Sequence, residues 1–183
     1  GQVVTPQVLS DYYNGMGKTP IERPDAPAAG EGFQVRMGPF FLTPGEEIEY
    51  YLKHQVNTED LEVTRIDNFI NDESHHYLLF QFEPGSENEL EDGFRQVEIQ
   101  NVFPDQTKYL TGWVDTDSTI LPDETAYYLN DSAVFDLNYH IINYDNDSIL
   151  MAEAYNNFYT QPQGTAAEEM HSELLIQPTL LIP

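Results

Sequence analysis

The chain has 183 residues, of which 40% are hydrophobic and 13% aromatic, and it carries a formal net charge of −25 at pH 7. This length and apolar content favour one folded domain and argue against disorder. The negative charge would repel nucleic-acid phosphates, which excludes nucleic acid as a partner. The chain has no cysteine, which excludes disulfides and thiolate chemistry. It also lacks an apolar run of about 18 residues, so no membrane insertion is predicted.

Residues 1–31 are predicted to form an extended N-terminal arm or linker. Glycine and proline interrupt each apolar pattern there, for example at Gly15, Pro20 and Pro24. No signal-type segment opens the chain, so we expect that any secretion signal has been removed. The acidic composition fits a secreted protein, extracellular or periplasmic.

Residues 32–183 are predicted to form one all-β domain. Short alternating segments follow one another, with turn residues such as Asn71 and Asp72 between them. The predicted strands cover residues 33–37, 46–56, 61–70, 75–82, 95–103, 109–114, 125–129, 133–142, 149–159 and 170–176. Strands of this length and spacing indicate an antiparallel two-sheet sandwich or jelly roll.

The predicted strand at residues 46–56 has an apolar and a polar face, which is typical of a half-buried antiparallel strand. The apolar face carries Ile48, Tyr50, Leu52 and His54, and the polar face carries Glu47, Glu49, Tyr51 and Lys53. Because His54 is in phase with the apolar residues, we interpret it as a core or rim histidine.

Two of the five histidines, His75 and His76, stand side by side at the start of a predicted strand. Paired imidazoles commonly hold a transition metal in proteins. In a regular strand, adjacent side chains point to opposite faces, and the pair would then be one core and one surface residue. The turn-like residues 71–74 permit a bulge that would bring the rings together. Both interpretations remain open at this point.

His140 is the natural third candidate for a ligand. It shares the polar face of its predicted strand with Asp136 and Asn138, where a carboxylate or amide could orient the ring. A surface histidine is an equally good interpretation. Met170 and His171 offer another donor pair for Cu(I), although a methionine in an apolar strand is more often a core residue.

Three acidic segments invite other interpretations. Residues 115–118 and 143–147 contain the residue types of calcium-binding loops but lack EF-hand spacing, and Asx turns are the simpler explanation. Residues 83–92 are predicted to form a solvated hairpin tip.

Four segments together resemble the N-terminal half of the copper type II, ascorbate-dependent monooxygenases, the family of peptidylglycine α-hydroxylating and dopamine β-monooxygenases. The segments are residues 38–51, Ser74-His75-His76-Tyr77-Leu78-Leu79-Phe80, Gly112-Trp113 followed by Leu121-Pro122, and Leu137-Asn138-Tyr139-His140. The resemblance covers residues 32–183 and is greatest for secreted bacterial versions. It implies a jelly roll whose copper is held by His75, His76 and His140.

The donor set agrees with that implication, because three imidazoles without thiolate or carboxylate suit copper better than zinc. Binding should fail at low pH, since ligating imidazoles must be neutral. The chain departs from the family in having no cysteine, whereas family members carry disulfides, and in having no His-x-His motif for a second, oxygen-activating copper domain.

We therefore expect a copper-binding, electron-transfer domain that serves a protein partner or a missing second domain. It would not be a complete monooxygenase and would form at most one half of a copper hydroxylase. The alternative is a metal-free structural or adhesive domain of a secreted or cell-surface protein, which contacts other proteins through an acidic, tyrosine-rich surface. The oligomeric state and any substrate are not predicted by the sequence.

Overall fold

Alternating apolar and polar residues produce strands along most of the chain. The computed structural model describes residues 4–56, 58–86, 93–96, 107–113 and 117–172. Its strands are β1 (Gly32–Leu42), β2 (Glu47–Gln55), β3 (Leu61–Ile70), β4 (Ser74–Phe82), β5 (Gly93–Gln96), β6 (Thr107–Trp113), β7 (Ser118–Ile120), β8 (Thr125–Leu129), β9 (Val134–Ile142), β10 (Leu150–Pro162) and β11 (Glu168–Glu169).

These strands form two sheets that pack face to face. One sheet has the order β1-β10-β3-β8-β11, with β7 paired to β3, and the other has the order β5-β2-β9-β4-β6. Every described pair of strands is antiparallel except β8 and β11. The predicted all-β, antiparallel two-sheet sandwich is therefore confirmed.

Most predicted strands are present, and the differences have local causes. β1 continues past residue 37 to Leu42, with a register shift between Met37 and Phe40 at Pro39, which cannot donate to a ladder. β7 has three residues, too few for a visible alternation. Residues 87–92, 97–103, 114–116 and 173–176, which belong to segments discussed above, lie outside the described residues.

The N-terminal segment contains a short helix where an extended arm was predicted. Helix α1 (Pro6–Asp11) begins after Thr5, whose side chain accepts a hydrogen bond from the Val8 N–H, and Pro6 occupies its first position. A single π-helical turn (Tyr12–Met16) follows, and residues 18–28 form neither helix nor strand. Six residues among glycines and prolines are too few to display a helical period. Neither of these described helical pieces has the length and hydropathy needed to span a membrane.

The core lies between the two sheets and contains buried polar groups that join them. Tyr77 of β4 donates from its hydroxyl to Asn156 Oδ1 at 2.6 Å, Asn156 Nδ2 donates to Asn68 Oδ1 at 2.8 Å, and Asn68 Nδ2 donates to Thr111 Oγ1 at 3.0 Å. The largest fully buried side chains are Tyr51, Tyr77, Tyr139, Phe135, Phe158, Met37, Leu42, Ile66, Leu79, Leu110, Leu129 and Leu137. A satisfied buried network of this kind fixes how the sheets pack.

The polar face of β2 is covered at one end. Tyr51 was predicted on this polar face, yet it is 1% exposed. The guanidinium of Arg95 lies 4.7 Å from the centre of its ring, and Arg95 also pairs with the buried Asp136 at 2.5 Å. The other end of the same face, where β2 begins, is the more open one, since Glu47 is exposed there.

Candidate metal centre

At its start, β4 has one residue more than the segment of β9 that it faces. Ser74 lies opposite Ile141 and His76 lies opposite His140, so His75 is the extra residue between these two pairs. Such a β-bulge interrupts the alternation that would otherwise send adjacent side chains to opposite faces. As a result, the Nδ1 atoms of His75 and His76 lie 3.2 Å apart. The bulge that the turn-like residues permitted is present.

The third ring lies beside this pair. The ring centre of His140 is 4.8 Å from that of His75 and 5.0 Å from that of His76. One ring nitrogen from each of the three residues lies within 4.8 Å of the others, and no other such group of three metal-binding side chains occurs in the described part of the chain. We call these three residues the histidine cluster.

The spacing within the histidine cluster suits a single metal ion. Imidazole nitrogens bind first-row metals at about 2.0–2.1 Å, so two ligands of one ion lie at most about 4.1 Å apart. The 3.2 Å between the two Nδ1 atoms is within that limit. Any separation up to the bound of 4.8 Å would have to close by less than about 1 Å, which small rotations of the side chains can provide.

A carboxylate orients the ring of His140. Its Nε2 lies 2.6 Å from Oε1 of Glu47. Because an ionised carboxylate only accepts hydrogen bonds, Nε2 carries the proton and Nδ1 presents its lone pair. A metal-ligating histidine is typically held in this way by a carboxylate on its second nitrogen.

An amide and a second carboxylate orient the ring of His76. Its Nε2 lies 2.8 Å from Oδ1 of Asn138, and Nδ2 of Asn138 donates to Oε1 of Glu49 at 3.0 Å. Oε1 of Glu49 also lies 3.5 Å from Nε2 of His76, and this contact is the main cause that lowers the pKa of Glu49, whereas burial acts to raise it. Glu49 is therefore ionised at neutral pH, and the Nδ1 atom of His76 faces the cluster.

Asp136, Asn138 and His140 alternate along β9 as predicted, but Asp136 and Asn138 are both buried. Asn138 orients His76 rather than His140, and Asp136 pairs with Arg95. Glu47 and Glu49 were not predicted to take part. Alternation placed both on the polar face of β2, but the register that sets Glu49 opposite His140 is a property of the folded sheet.

Buried hydrogen bonds hold the turn that precedes the bulge. Asn71 is 2% exposed; its Oδ1 accepts from the Glu153 N–H at 2.8 Å and its carbonyl accepts from the Ser74 N–H at 3.0 Å. The Ser74 hydroxyl donates to the hydroxyl oxygen of Tyr139 at 3.0 Å. The start of β4 is therefore tied to the core directly beside His140.

The histidine cluster is open to solvent on one side. His75 is exposed, whereas the side chains of His76 and His140 are 24% and 15% exposed. A metal ion held by the two anchored rings and by the exposed His75 would keep at least one coordination position facing water.

The remaining histidines do not join the cluster. His54 is half-buried opposite Phe135, and burial lowers its pKa. His171 is exposed and lies 3.9 Å from Glu169, while Met170 packs against the core. The interpretation of His54 and Met170 as packing residues is confirmed.

The segment at residues 143–147 forms an Asx turn. Asn143 is fully buried, its Oδ1 accepts from the Asp145 N–H at 3.2 Å, and its Nδ2 donates to the carbonyls of Leu42 and Ser148. Because this amide serves the backbone, Asx geometry explains the segment without calcium. Residues 115 and 116 of the other acidic segment lie outside the described residues.

The sequence matches no protein-family model, and a search of curated proteins finds no significant match. The resemblance to the copper monooxygenases therefore rests on the residues of this chain alone.

The buried turn predicts an effect on metal binding from a residue that is not a ligand. Asn71→Ala leaves the Glu153 N–H buried without its acceptor, which should cost about 1–3 kcal/mol of unfolding free energy. It also frees the turn before the bulge, so we expect weaker Cu²⁺ binding in a chelator competition titration. Asn157→Ala is the matched control, because Asn157 is also 2% exposed but lies in β10 of the other sheet, where it bonds to Gln34 and to the Asp25 carbonyl; it should lower stability but leave the affinity unchanged. Equal affinities for both variants and the wild type would contradict a positioning role for the turn.

Proposed function

We propose that this chain binds one copper ion through His75, His76 and His140. The observation that carries the proposal is the convergence of three ring nitrogens within 4.8 Å, made by a bulge in β4. The hydrogen bonds of Glu47 and Asn138 to Nε2 atoms add support, because they engage Nε2 of His140 and His76 and leave Nδ1 of each ring as the nitrogen available to a metal.

Copper suits this site better than other divalent metals. The ligands are imidazoles, while the nearby carboxylates of Glu47 and Glu49 are engaged with ring or amide N–H groups. Among the divalent first-row metals, Cu²⁺ binds such nitrogen sites most tightly, and imidazole also accommodates Cu(I). The resemblance to the first copper domain of the ascorbate-dependent monooxygenases favours the same metal.

We propose electron transfer as the use of the bound metal. Copper held by the histidine cluster supplies a one-electron redox centre at the surface of a rigid sandwich. The sequence contains no His-x-His motif for the second copper that inserts oxygen in the related enzymes. The chain would therefore exchange electrons with a partner site, as a secreted protein in an extracellular or periplasmic setting.

The surface charge favours a cationic electron-transfer partner. Among the described residues, at least five of the seven basic side chains form ion pairs with carboxylates, namely Lys18, Arg36, Arg65, Arg95 and Lys108. Lys18 faces two carboxylates, of which Glu73 lies two residues before His75 in the chain. With Glu47 and Glu49 beside the rings and a net charge of −25, a positively charged partner is attracted and an anion is repelled.

A metal-free adhesive domain remains the alternative function, but its expected surface has less support. Seven of the twelve tyrosines are buried, four of them in the core between the sheets. Those seven are Tyr12, Tyr50, Tyr51, Tyr77, Tyr127, Tyr139 and Tyr155. Tyr13 and Tyr144 are the strongly exposed ones, at 74% and 69%. Tyrosine therefore serves the core and the network between the sheets more than the surface.

Copper titration separates the two functions. We expect the purified, tag-free protein to retain about one Cu²⁺ per chain after desalting, with an EPR spectrum that carries hyperfine structure from imidazole nitrogen. His75→Ala and His140→Ala should each remove most of this copper, whereas His54→Ala and His171→Ala serve as controls and should retain it. Failure of the wild type to hold copper, or full retention in the His75→Ala/His140→Ala double variant, would exclude the proposed site.

The negative surface charge of the protein predicts how small charged reductants react with the copper-loaded form. Reduction by hexaammineruthenium(II), a dication, should slow as ionic strength rises, because salt screens the attraction. Reduction by ascorbate, an anion at neutral pH, should become faster under the same change. Stopped-flow absorbance measures both rates, and the sign of each salt dependence is independent of driving force. A rate with ascorbate that falls with added salt would argue against an acidic docking face.

A further inference from the structure

Lys18 connects the ends of the two strands that carry the histidine cluster. Its Nζ lies 2.5 Å from Oε1 of Glu73, the residue just before β4, and 2.9 Å from Oδ2 of Asp145, which follows the end of β9. The histidine pair lies in β4 and His140 lies in β9. One ammonium group therefore links the beginning of one histidine strand to the end of the other.

The N-terminal segment that carries Lys18 is itself fixed to the sandwich. The Lys18 N–H donates to the carbonyl of Ile149 at 2.9 Å, and Gly17 forms a parallel bridge with Ile149, the residue just before β10. Tyr12 is 9% exposed and packs its ring edge-on against Phe41 at 5.2 Å. A Cβ at position 17 would lie 2.7 Å from the Tyr12 ring, so glycine permits this close approach.

The Ser74 hydroxyl bond to Tyr139 also joins the bulged end of β4 to β9, but the backbone hydrogen bond at this end is long. Beyond the bulge, the Glu73 carbonyl accepts a hydrogen bond from the Ile142 N–H at 3.4 Å, which is at the long end of the hydrogen-bond range. The side chains of Lys18 and Glu73 are 29% and 22% exposed, so water screens their attraction less than it screens that of a fully exposed pair. The Lys18 bridge therefore adds a constraint beside this long backbone bond and the register shift of the bulge.

We propose that residues 4–18 act as a clamp on the histidine cluster and that Lys18 is its positioning residue. By holding the ends of β4 and β9 together, Lys18 sets the separation of the three rings and with it the affinity for the metal. The part of this inference that concerns affinity rests on the proposed copper binding, whereas the part that concerns ring position does not.

The test compares Lys18→Met, which removes the charge, with Lys18→Arg, which keeps it. Lys108→Met is the matched control, because it removes the Lys108–Glu169 ion pair, which involves neither the start of β4 nor the end of β9. Asp145→Asn removes one of the two carboxylates and provides a milder variant should Lys18→Met fail to fold. Each variant is measured without metal, by NMR hydrogen exchange and histidine ring shifts, and with copper, by chelator competition and EPR.

We expect Lys18→Met to raise the exchange rates of the Ser74 and Ile142 amides, to shift the ring signals of the histidine cluster, and to weaken copper binding roughly three- to tenfold. Its EPR spectrum should differ from that of the wild type, Asp145→Asn should be intermediate, and Lys18→Arg should restore most of the affinity. Lys108→Met should leave all four measurements unchanged.

Unchanged exchange and ring shifts in both Lys18→Met and Asp145→Asn would overturn the clamp. If amide exchange changes in these variants but their copper affinity and EPR spectrum match those of the wild type, the proposed control of metal binding by the clamp is overturned. If the wild type itself binds no copper while Lys18→Met alters the ring signals, the clamp is supported and the proposed function is the part that fails.

Discussion

The pleat of a β-strand is the constraint on which the candidate site depends. Neighbouring side chains in a regular strand diverge, so His75 and His76 could not serve one metal ion in an unbroken ladder. The extra residue at the start of β4 removes this restriction and brings the two Nδ1 atoms to 3.2 Å. The turn at Asn71, the bond from Ser74 to Tyr139 and the bridge from Lys18 all act on this same short stretch of chain.

Much of the fold follows from local patterns that the sequence displays. Alternation along β2 and β9 marks their buried faces, and the turn residues between the segments separate most strands correctly. The short helix α1 and strand β7 were missed because a period cannot be recognised in six or three residues. Tyr51 was placed on a polar face and is nevertheless buried, because a guanidinium from another strand covers its ring.

The grouping of the three histidines was predictable from the sequence, but the residues that support them were not. The residue types and their positions identified His75, His76 and His140, yet whether two adjacent rings converge depends on a bulge that the sequence only permitted. The contact from Glu47 to His140 is diagonal across two strands, and it exists only in the register that places Glu49 opposite His140. Register and long-range bridges such as that of Lys18 to Asp145 arise from the folded sheet.

Anomalous diffraction from a crystal of the copper-loaded protein tests the central claim most directly. Data collected on either side of the copper absorption edge should reveal one metal peak per chain at about 2.0–2.1 Å from a ring nitrogen of each of the three histidines, with Nδ1 of His76 and His140 as ligands. The Nε2 atoms of these two rings should keep their bonds to Asn138 and Glu47. A copper peak elsewhere, or one bound by fewer than two residues of the histidine cluster, would contradict the account.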